Sequence, residues 1–274
     1  MSDNQAVADT AHKQAIKAAG FLVGVSEDRN KRCRRTMEDA HACIPQFGGI
    51  DRQGFFGIYD GHAGKATAEW CGHNLHKTFL SSLTDNPDAP VSDVLNIAFL
   101  SADRQLNEKE GQHSGCTAVV AYVEAKKKSP KRILYTANVG DARAVLCRNG
   151  QAVRLSYDHK GSDANEAKRI IDLGGFMMNN RVNGVLAVTR SLGDHTMKEF
   201  VVGNPYTTET ELTEEDSFII LACDGLWDVC NDNDAVDLIK DIMDPQEASQ
   251  KLLDHALANF STDNLTVMVI RLQD

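Results

Sequence analysis

The sequence contains no run of the ~18–20 apolar residues that a bilayer crossing demands. Its strongest apolar runs, Phe218–Cys223 and Leu265–Ile270, are strand-sized. No apolar core follows Met1, so a secretory signal is not expected; Ser2 denies a myristoylation site, and the closing Leu-Gln-Asp is no prenylation box. The seven cysteines (Cys33, Cys43, Cys71, Cys116, Cys147, Cys223, Cys230) are odd in number and never spaced C-x-x-C. That usage suits a reduced protein of the cytoplasm or nucleus better than a disulfide scaffold or a zinc site. Positive charge is also scarce: 29 Lys+Arg face 39 Asp+Glu, for a formal charge of −10. A sequence-blind nucleic-acid binder needs a basic face to replace phosphate counterions, so neither nucleic acid nor a membrane is an expected partner.

What is present is ordinary globular material. Hydrophobic residues make up 42% and charged residues 25% of 274, enough for a sizeable core. Residues 1–20 read as a loose tail, helical at best, and residues 21–274 as a single domain without linker or repeat. A monomer is expected. The Lys126–Lys128 run with Ser129-Pro130 reads as a solvated hairpin loop.

Strands are expected at Phe55–Tyr59, Thr117–Val123, Arg132–Asn138, Ala142–Arg148, Gln151–Leu155, Phe218–Cys223 and Leu265–Leu272. Asn149-Gly150 signals a two-residue hairpin, because a type I′ turn needs positive φ at both central residues. Ala68, Cys71, Leu75 and Phe79 form one helical stripe. Val91, Val94, Leu95, Ala98, Ala102 and Leu106 form a second, and Ala248, Leu252, Ala256 and Phe260 a third. Asp163-x-x-Glu166 reads as a capping box, with Gly174-Gly175 as the stop. Paired helices, meandering strands and further helices favour a layered α+β domain over a doubly wound parallel sheet.

Four aspartates share an unusual context. Asp60 and Asp224 end apolar runs and precede glycine, Asp141 stands between two strands, and Asp263 immediately precedes another. Glu38-Asp39 follows the basic cluster Arg32-Cys33-Arg34-Arg35. Any one Asp-Gly is an ordinary turn former. Strand ends of one sheet can converge, however, and carboxylates gathered there would repel one another unless cations neutralised them. Hard oxygen donors suit Mg²⁺ or Mn²⁺. Gly61, lacking a Cβ, would let its own carbonyl approach an ion. Competing chemistries lack their signatures: no Cys precedes an Arg by six positions, Gly64-Lys65 is no P-loop, and His-Glu-x-x-His, Gly-x-Ser-x-Gly and a kinase His-Arg-Asp are absent.

An ordered array of motifs carries a resemblance. It comprises Arg34-Arg35-Thr36-Met37-Glu38-Asp39, Tyr59-Asp60-Gly61-His62-Ala63-Gly64, Ser114-Gly115-Cys116-Thr117-Ala118-Val119 and Ala137-Asn138-Val139-Gly140-Asp141-Ala142-Arg143. Tyr157-Asp158-His159-Lys160, Arg181-Val182-Asn183-Gly184, Arg190-Ser191-Leu192-Gly193-Asp194, Ala222-Cys223-Asp224-Gly225-Leu226-Trp227-Asp228 and Thr262-Asp263-Asn264 complete it. From about residue 21 onward the chain resembles the metal-dependent type 2C protein serine/threonine phosphatases, its compact length looking most like the small fungal members. Ala63, Cys116 and Ala142 depart from the commoner residues without removing an expected ligand.

The resemblance implies a four-layer α-β-β-α sandwich of two mostly antiparallel sheets flanked by helices. It implies two Mn²⁺ or Mg²⁺ ions held by Asp60, the Gly61 carbonyl, Asp224 and Asp263, with Glu38 and Asp39 acting through bound waters. Asp141, Asp224 and Asp228 match a weaker third-ion position. Cations would acidify a water and, with an arginine, offset charge on the phosphoryl oxygens. Arg34 is assigned to the phosphate, with Arg35 as the alternative; the three-residue offset before Met37 decides for Arg34. His62 is the expected general acid for the alkoxide leaving group. Thr117 is either a hydroxyl bonding metal-bound water or an ordinary strand threonine, and Asp194 is a residue tuning the neighbouring segment. Residues Gly161–Val202 match the family's variable flap. Expected substrates are phosphorylated proteins, among them protein kinases in stress signalling. Two rival readings are a two-metal phosphodiesterase or nuclease and a catalytically dead binding module.

Overall fold

The structure is a computed structural model that describes residues 16–18, 20–107, 113–125 and 131–273. The expected 126–130 loop and most of the expected tail fall outside these residues. Within that tail, however, Ile16–Ala18 pairs antiparallel with Phe21–Asp28, so the chain joins a sheet before residue 21.

In chain order the elements are β1 (Ile16–Ala18), β2 (Phe21–Asp28), β3 (Ala40–Pro45), β4 (Gly54–Tyr59), β5 (Gly61–His62), α1 (Ala66–Asp85), α2 (Val91–Asn107) and β6 (Gly115–Cys116). There follow β7 (Ala118–Ala125), β8 (Arg132–Val139), β9 (Arg143–Arg148), β10 (Gln151–Arg154), α3 (Ala164–Asp172), β11 (Met177–Met178), β12 (Arg181–Val182) and β13 (Leu192–Gly193). Last come β14 (Tyr206–Glu211), β15 (Asp216–Ala222), α4 (Asp224–Trp227), α5 (Asp232–Ile239), α6 (Pro245–Ala258) and β16 (Leu265–Leu272).

Two antiparallel sheets, β1-β2-β16-β15-β9-β10 and β14-β8-β7-β4-β3, carry the fold. Strand side chains alternate between faces, and each central strand here is apolar on both. On β7, Val119, Ala121 and Val123 enter the core between the sheets, while Ala118, Val120 and Tyr122 pack on α1 and α2. On β15, Ile219 and Leu221 face the other sheet, while Phe218, Ile220 and Ala222 pack on α5 and α6. Two-sided burial of the strands therefore produces the four layers, helix–sheet–sheet–helix. A small sheet, β13-β6-β5, sits beside them.

The expected strands appear within a few residues, and the Asn149-Gly150 turn has φ of 49° and 72°. Among strands of six or more residues, β2, β3 and β14 lie outside the expected set. β14 is Tyr-Thr-Thr-Glu-Thr-Glu at a sheet edge with no buried residue; only its pairing with β8 makes it a strand. Two helix expectations are corrected. Helix α6 stops at Ala258, leaving Phe260 at φ 62° and 87% exposed rather than on the buried face. Asp163 caps α3 through the Asn165 and Glu166 amides, but the Glu166 side chain turns to Arg169 and Arg190 instead of completing the box.

Candidate active site and metal centre

The two main sheets bring their acidic ends together. Asp60 leaves β4, Asp141 lies between β8 and β9, Asp224 follows the end of β15, and Asp263 precedes β16. Gly225 permits the closest approach. A Cβ there would stand 2.1 Å from the Asn264 carbonyl oxygen, and the Ser261 hydroxyl donates to the Gly225 carbonyl at 2.7 Å. The turn carrying Asp224 is thereby laid against the loop carrying Asp263. Gly61 is similarly constrained, since a Cβ would stand 2.3 Å from the Glu38 carbonyl oxygen. Backbone packing, which the spacing did not reveal, supplies a reason for glycine there.

Asp39, Asp60, Asp224 and Asp263 are half-buried and Asp141 is buried. Burial pushes the Asp60 proton affinity well above the usual carboxylate range, and the charges of Asp39, Asp224, Asp141 and Asp263 push it further. Asp224 moves the same way, through burial and then Asp141, Asp263 and Asp228. Asp39 rises to about 6 because burial outweighs its hydrogen bond from Thr266. Asp263 rises through burial, opposed by the Asn264 amide and Arg34.

Polar atoms at this end remain unsatisfied. Asp39 Oδ2 accepts from Thr266 Oγ1 at 2.7 Å, but its buried Oδ1 has no hydrogen-bond partner among the described residues. The Thr117 amide donates to the Asp60 carbonyl at 2.9 Å, while the buried Thr117 hydroxyl has no partner among the described residues. Donor atoms of Asp39, Asp60 and Cys223 lie within 4.8 Å of one another. The Cys223 thiol is otherwise engaged, donating to the Asn264 carbonyl and accepting from the Thr266 amide. Burial and then Asp39, Asp60 and Asp224 hold it protonated. The donors left over are hard oxygens, which fits Mg²⁺ or Mn²⁺ rather than zinc.

The remaining expected residues are distributed around this cluster. The Glu38 carboxylate accepts from Thr36 Oγ1 at 3.0 Å and the Gly64 amide at 3.2 Å. Arg34 Nη2 bonds Asp263 at 2.5 Å and its Nε bonds the Thr262 carbonyl at 3.2 Å. The guanidinium expected to face phosphate is thus held by one of the expected metal ligands. Asp141 is buried and raised to about 6, with burial outweighing the opposing charge of Lys160. The Lys160 ammonium spans the expected third-ion position, 2.7 Å from Asp228 and 3.6 Å from Asp141. The His159 amide, bonded to the Gly140 carbonyl at 2.9 Å, brings Lys160 there.

His62 Nε2 meets Asp194 Oδ2 at 2.7 Å, and the Ser191 hydroxyl donates to the same oxygen at 2.5 Å. Burial would raise the Asp194 proton affinity, but His62, Ser191 and Lys198 lower it overall. The small sheet explains this meeting. His62 opposes Gly115 from one side and Gly193 opposes it from the other. A Cβ on Gly115 would stand 2.1 Å from Asp194 Oδ2 and 2.4 Å from His62 Nε2. Only glycine lets the two side chains meet across the central strand.

Lys160, Ser191 and Asn264 lie within the motifs and Thr266 outside them, and the motifs by themselves assign none of the four a role. Asn264 accepts from the Glu38 amide at 2.9 Å and donates to the Arg29 and Thr36 carbonyls. Its position beside Asp263 was the available signal.

Residues 23–265 match the family described as protein phosphatase 2C. The chain belongs to that family. It is 49% identical over 258 residues to protein phosphatase 2C homolog 1 of Schizosaccharomyces pombe, covering 93% of this chain and 74% of the relative. The protein of the same name in Saccharomyces cerevisiae is 48% identical over 261 residues, covering 91% and 93%. A solved structure of a C. elegans sex-determining protein superposes with a TM-score of 0.84 at 28% identity, over 94% of this chain and 66% of that one. A Toxoplasma gondii phosphatase structure, at 23% identity and TM-score 0.81 over 94% of each chain, shares the fold. This phosphatase is therefore a metal-dependent hydrolase acting on phosphoserine and phosphothreonine.

Proposed function

We propose that residues 21–274 act as one catalytic unit in which Asp60, the Gly61 carbonyl, Asp224 and Asp263 hold two Mn²⁺ or Mg²⁺ ions, with Glu38 and Asp39 placed to order the waters around them. The observation that carries this reading is the set of enclosed carboxylates that repel one another, with a buried Asp39 oxygen left unpaired. When bound, the two ions acidify an attacking water and offset charge on the phosphoryl oxygens.

The chain's own residues do the rest. Arg34 orients the phosphate; its Nη1 makes no hydrogen bond within the described residues, and cations bound at Asp263 would compete for the bond that now restrains Nη2. His62 protonates the leaving alkoxide. With Nε2–H donated to Asp194, the transferable proton is the one on Nδ1, and Asp194 acts as the positioning residue. The Thr117 hydroxyl bonds a water of the site. Asp141, Asp224 and Asp228 would hold a weaker third ion, with which the Lys160 ammonium on Asp141 and Asp228 would compete. The substrates are phosphorylated proteins, including protein kinases of signalling cascades, met by a monomer in the cytoplasm or nucleus.

The test is turnover of a phosphothreonine peptide with Mn²⁺, with Mg²⁺ and with EDTA. Turnover is expected with either ion and none with chelator. Undiminished turnover in EDTA would refute the metal assignment.

A further inference from the structure

We propose that the loop of residues 29–36 is a docking rim for the acidic flank of a substrate phosphopeptide. Lys31, Arg32 and Arg35 contact Asp or Glu side chains on one side of the phosphorylated residue while its phosphate enters the carboxylate site. The proposal rests on the phosphatase reading of that site and names its preferred substrate class.

The first support is charge. Residues 29–36 hold five of the chain's 29 Lys+Arg and none of its 39 Asp+Glu. Elsewhere several exposed cations carry their own anions, as in Lys65–Glu69, Lys131–Glu211 and Lys168–Asp172. Lys31, Arg32 and Arg35 are exposed and have no acidic partner among the described residues. A protein with a formal charge of −10 repels acidic peptides in general, so an unneutralised basic rim creates a local field of opposite sign.

The second support is place. Arg34, within the same loop, bonds Asp263 and the Thr262 carbonyl. Its neighbours therefore stand beside the phosphate position, and an extended peptide advances only about 3.3 Å per residue.

The third is rigidity. The Cys33 and Arg34 amides both donate to the Asn30 carbonyl, at 2.8 and 2.9 Å. Asn30 Nδ2 donates to the Ser261 carbonyl at 2.6 Å, and Asn264 Nδ2 ties down both ends of the loop through the Arg29 and Thr36 carbonyls, at 2.8 and 3.0 Å. A pinned loop loses little backbone entropy when a ligand binds, so side-chain contacts that are individually weak can sum to a preference.

The experiment compares phosphothreonine peptides with acidic, neutral or basic residues on the N-terminal or C-terminal flank, together with p-nitrophenyl phosphate. The enzymes are the wild type and the Lys31→Glu/Arg32→Glu double variant, both with Mn²⁺. Wild type should favour one acidic flank by about tenfold in kcat/KM over neutral, mostly through KM, and lose that preference as salt rises. The double variant should abolish or invert the preference while hydrolysing p-nitrophenyl phosphate at the wild-type rate. Equal kcat/KM for acidic and neutral flanks in active wild type would overturn the rim and leave the metal site standing. So would a preference that survives charge reversal. If wild type cleaves no phosphothreonine peptide at all, the phosphatase reading and the rim fall together. Wild type that ignores peptide flanks but is retained by phosphatidylserine vesicles would overturn the peptide in favour of a membrane surface.

Discussion

Glu166 and Asp60 are both largely enclosed by protein, yet their proton affinities move in opposite directions. Burial alone would raise Glu166, but hydrogen bonds from Arg190 and Arg169 reverse the sign and bring it to about 2. Its oxygens accept from Arg190 at 2.6 and 3.0 Å, from Arg169 at 3.0 Å and from the Thr189 hydroxyl at 2.8 Å. Around Asp60 the neighbours are more carboxylates, and its proton affinity rises. The fold completes the charge balance in the 161–202 segment and leaves it open at the sheet ends. An incomplete balance at a buried site is the mark of a group that arrives from outside.

The sharpest way to break this comparison is to remove the charge from each region. Asp60→Asn and Asp224→Asn should each lower phosphopeptide turnover by at least about 100-fold. Because each removes a repelling charge, thermal melting in EDTA should show no loss of stability; near-normal rates would return both residues to simple turn formers. Glu166→Gln should do the reverse to stability. It strands Arg169 and Arg190 against a neutral partner and should cost about 2–3 kcal/mol in urea unfolding. An unchanged midpoint would mean that the cluster is solvated more than its burial indicates.

A smaller effect concerns His62. Asp194→Asn should slow phosphothreonine peptides about tenfold while sparing p-nitrophenyl phosphate, whose leaving group needs no proton, and should shift the alkaline limb of the pH–rate profile, where a general acid loses its proton. Equal losses on both substrates with an unmoved profile would make Asp194 merely structural.

The smallest effect concerns pH. Asp39 and Asp141 are raised from 3.8 to about 6 in the fold. Without ions, the stability they contribute is full below about 4 and is lost as pH rises through about 6. The gain in melting temperature on adding Mn²⁺ should therefore be larger, by a few degrees, at about pH 7.5 than at about pH 5. Equal gains would contradict the raised proton affinities.

The sequence by itself determined the local elements and singled out the carboxylates that the fold gathers at one end of the sheets. Stripes such as Ala68, Cys71, Leu75 and Phe79 are buried as their spacing requires, because helical period and burial are both local properties. The four aspartates were legible because each follows or precedes a strand, and strand ends of packed sheets share an edge. Strand β14 was not legible, since an edge strand without apolar alternation is specified by its partner. Nor did spacing reveal that Gly115 opens the path between His62 and Asp194, 132 residues apart in the chain. Only the tertiary structure decided that Arg34 meets Asp263, that Lys160 spans Asp141 and Asp228, and that Glu166 is neutralised while Asp60 is not. Electrostatic balance depends on distances between side chains far apart along the chain, which the order of residues does not contain.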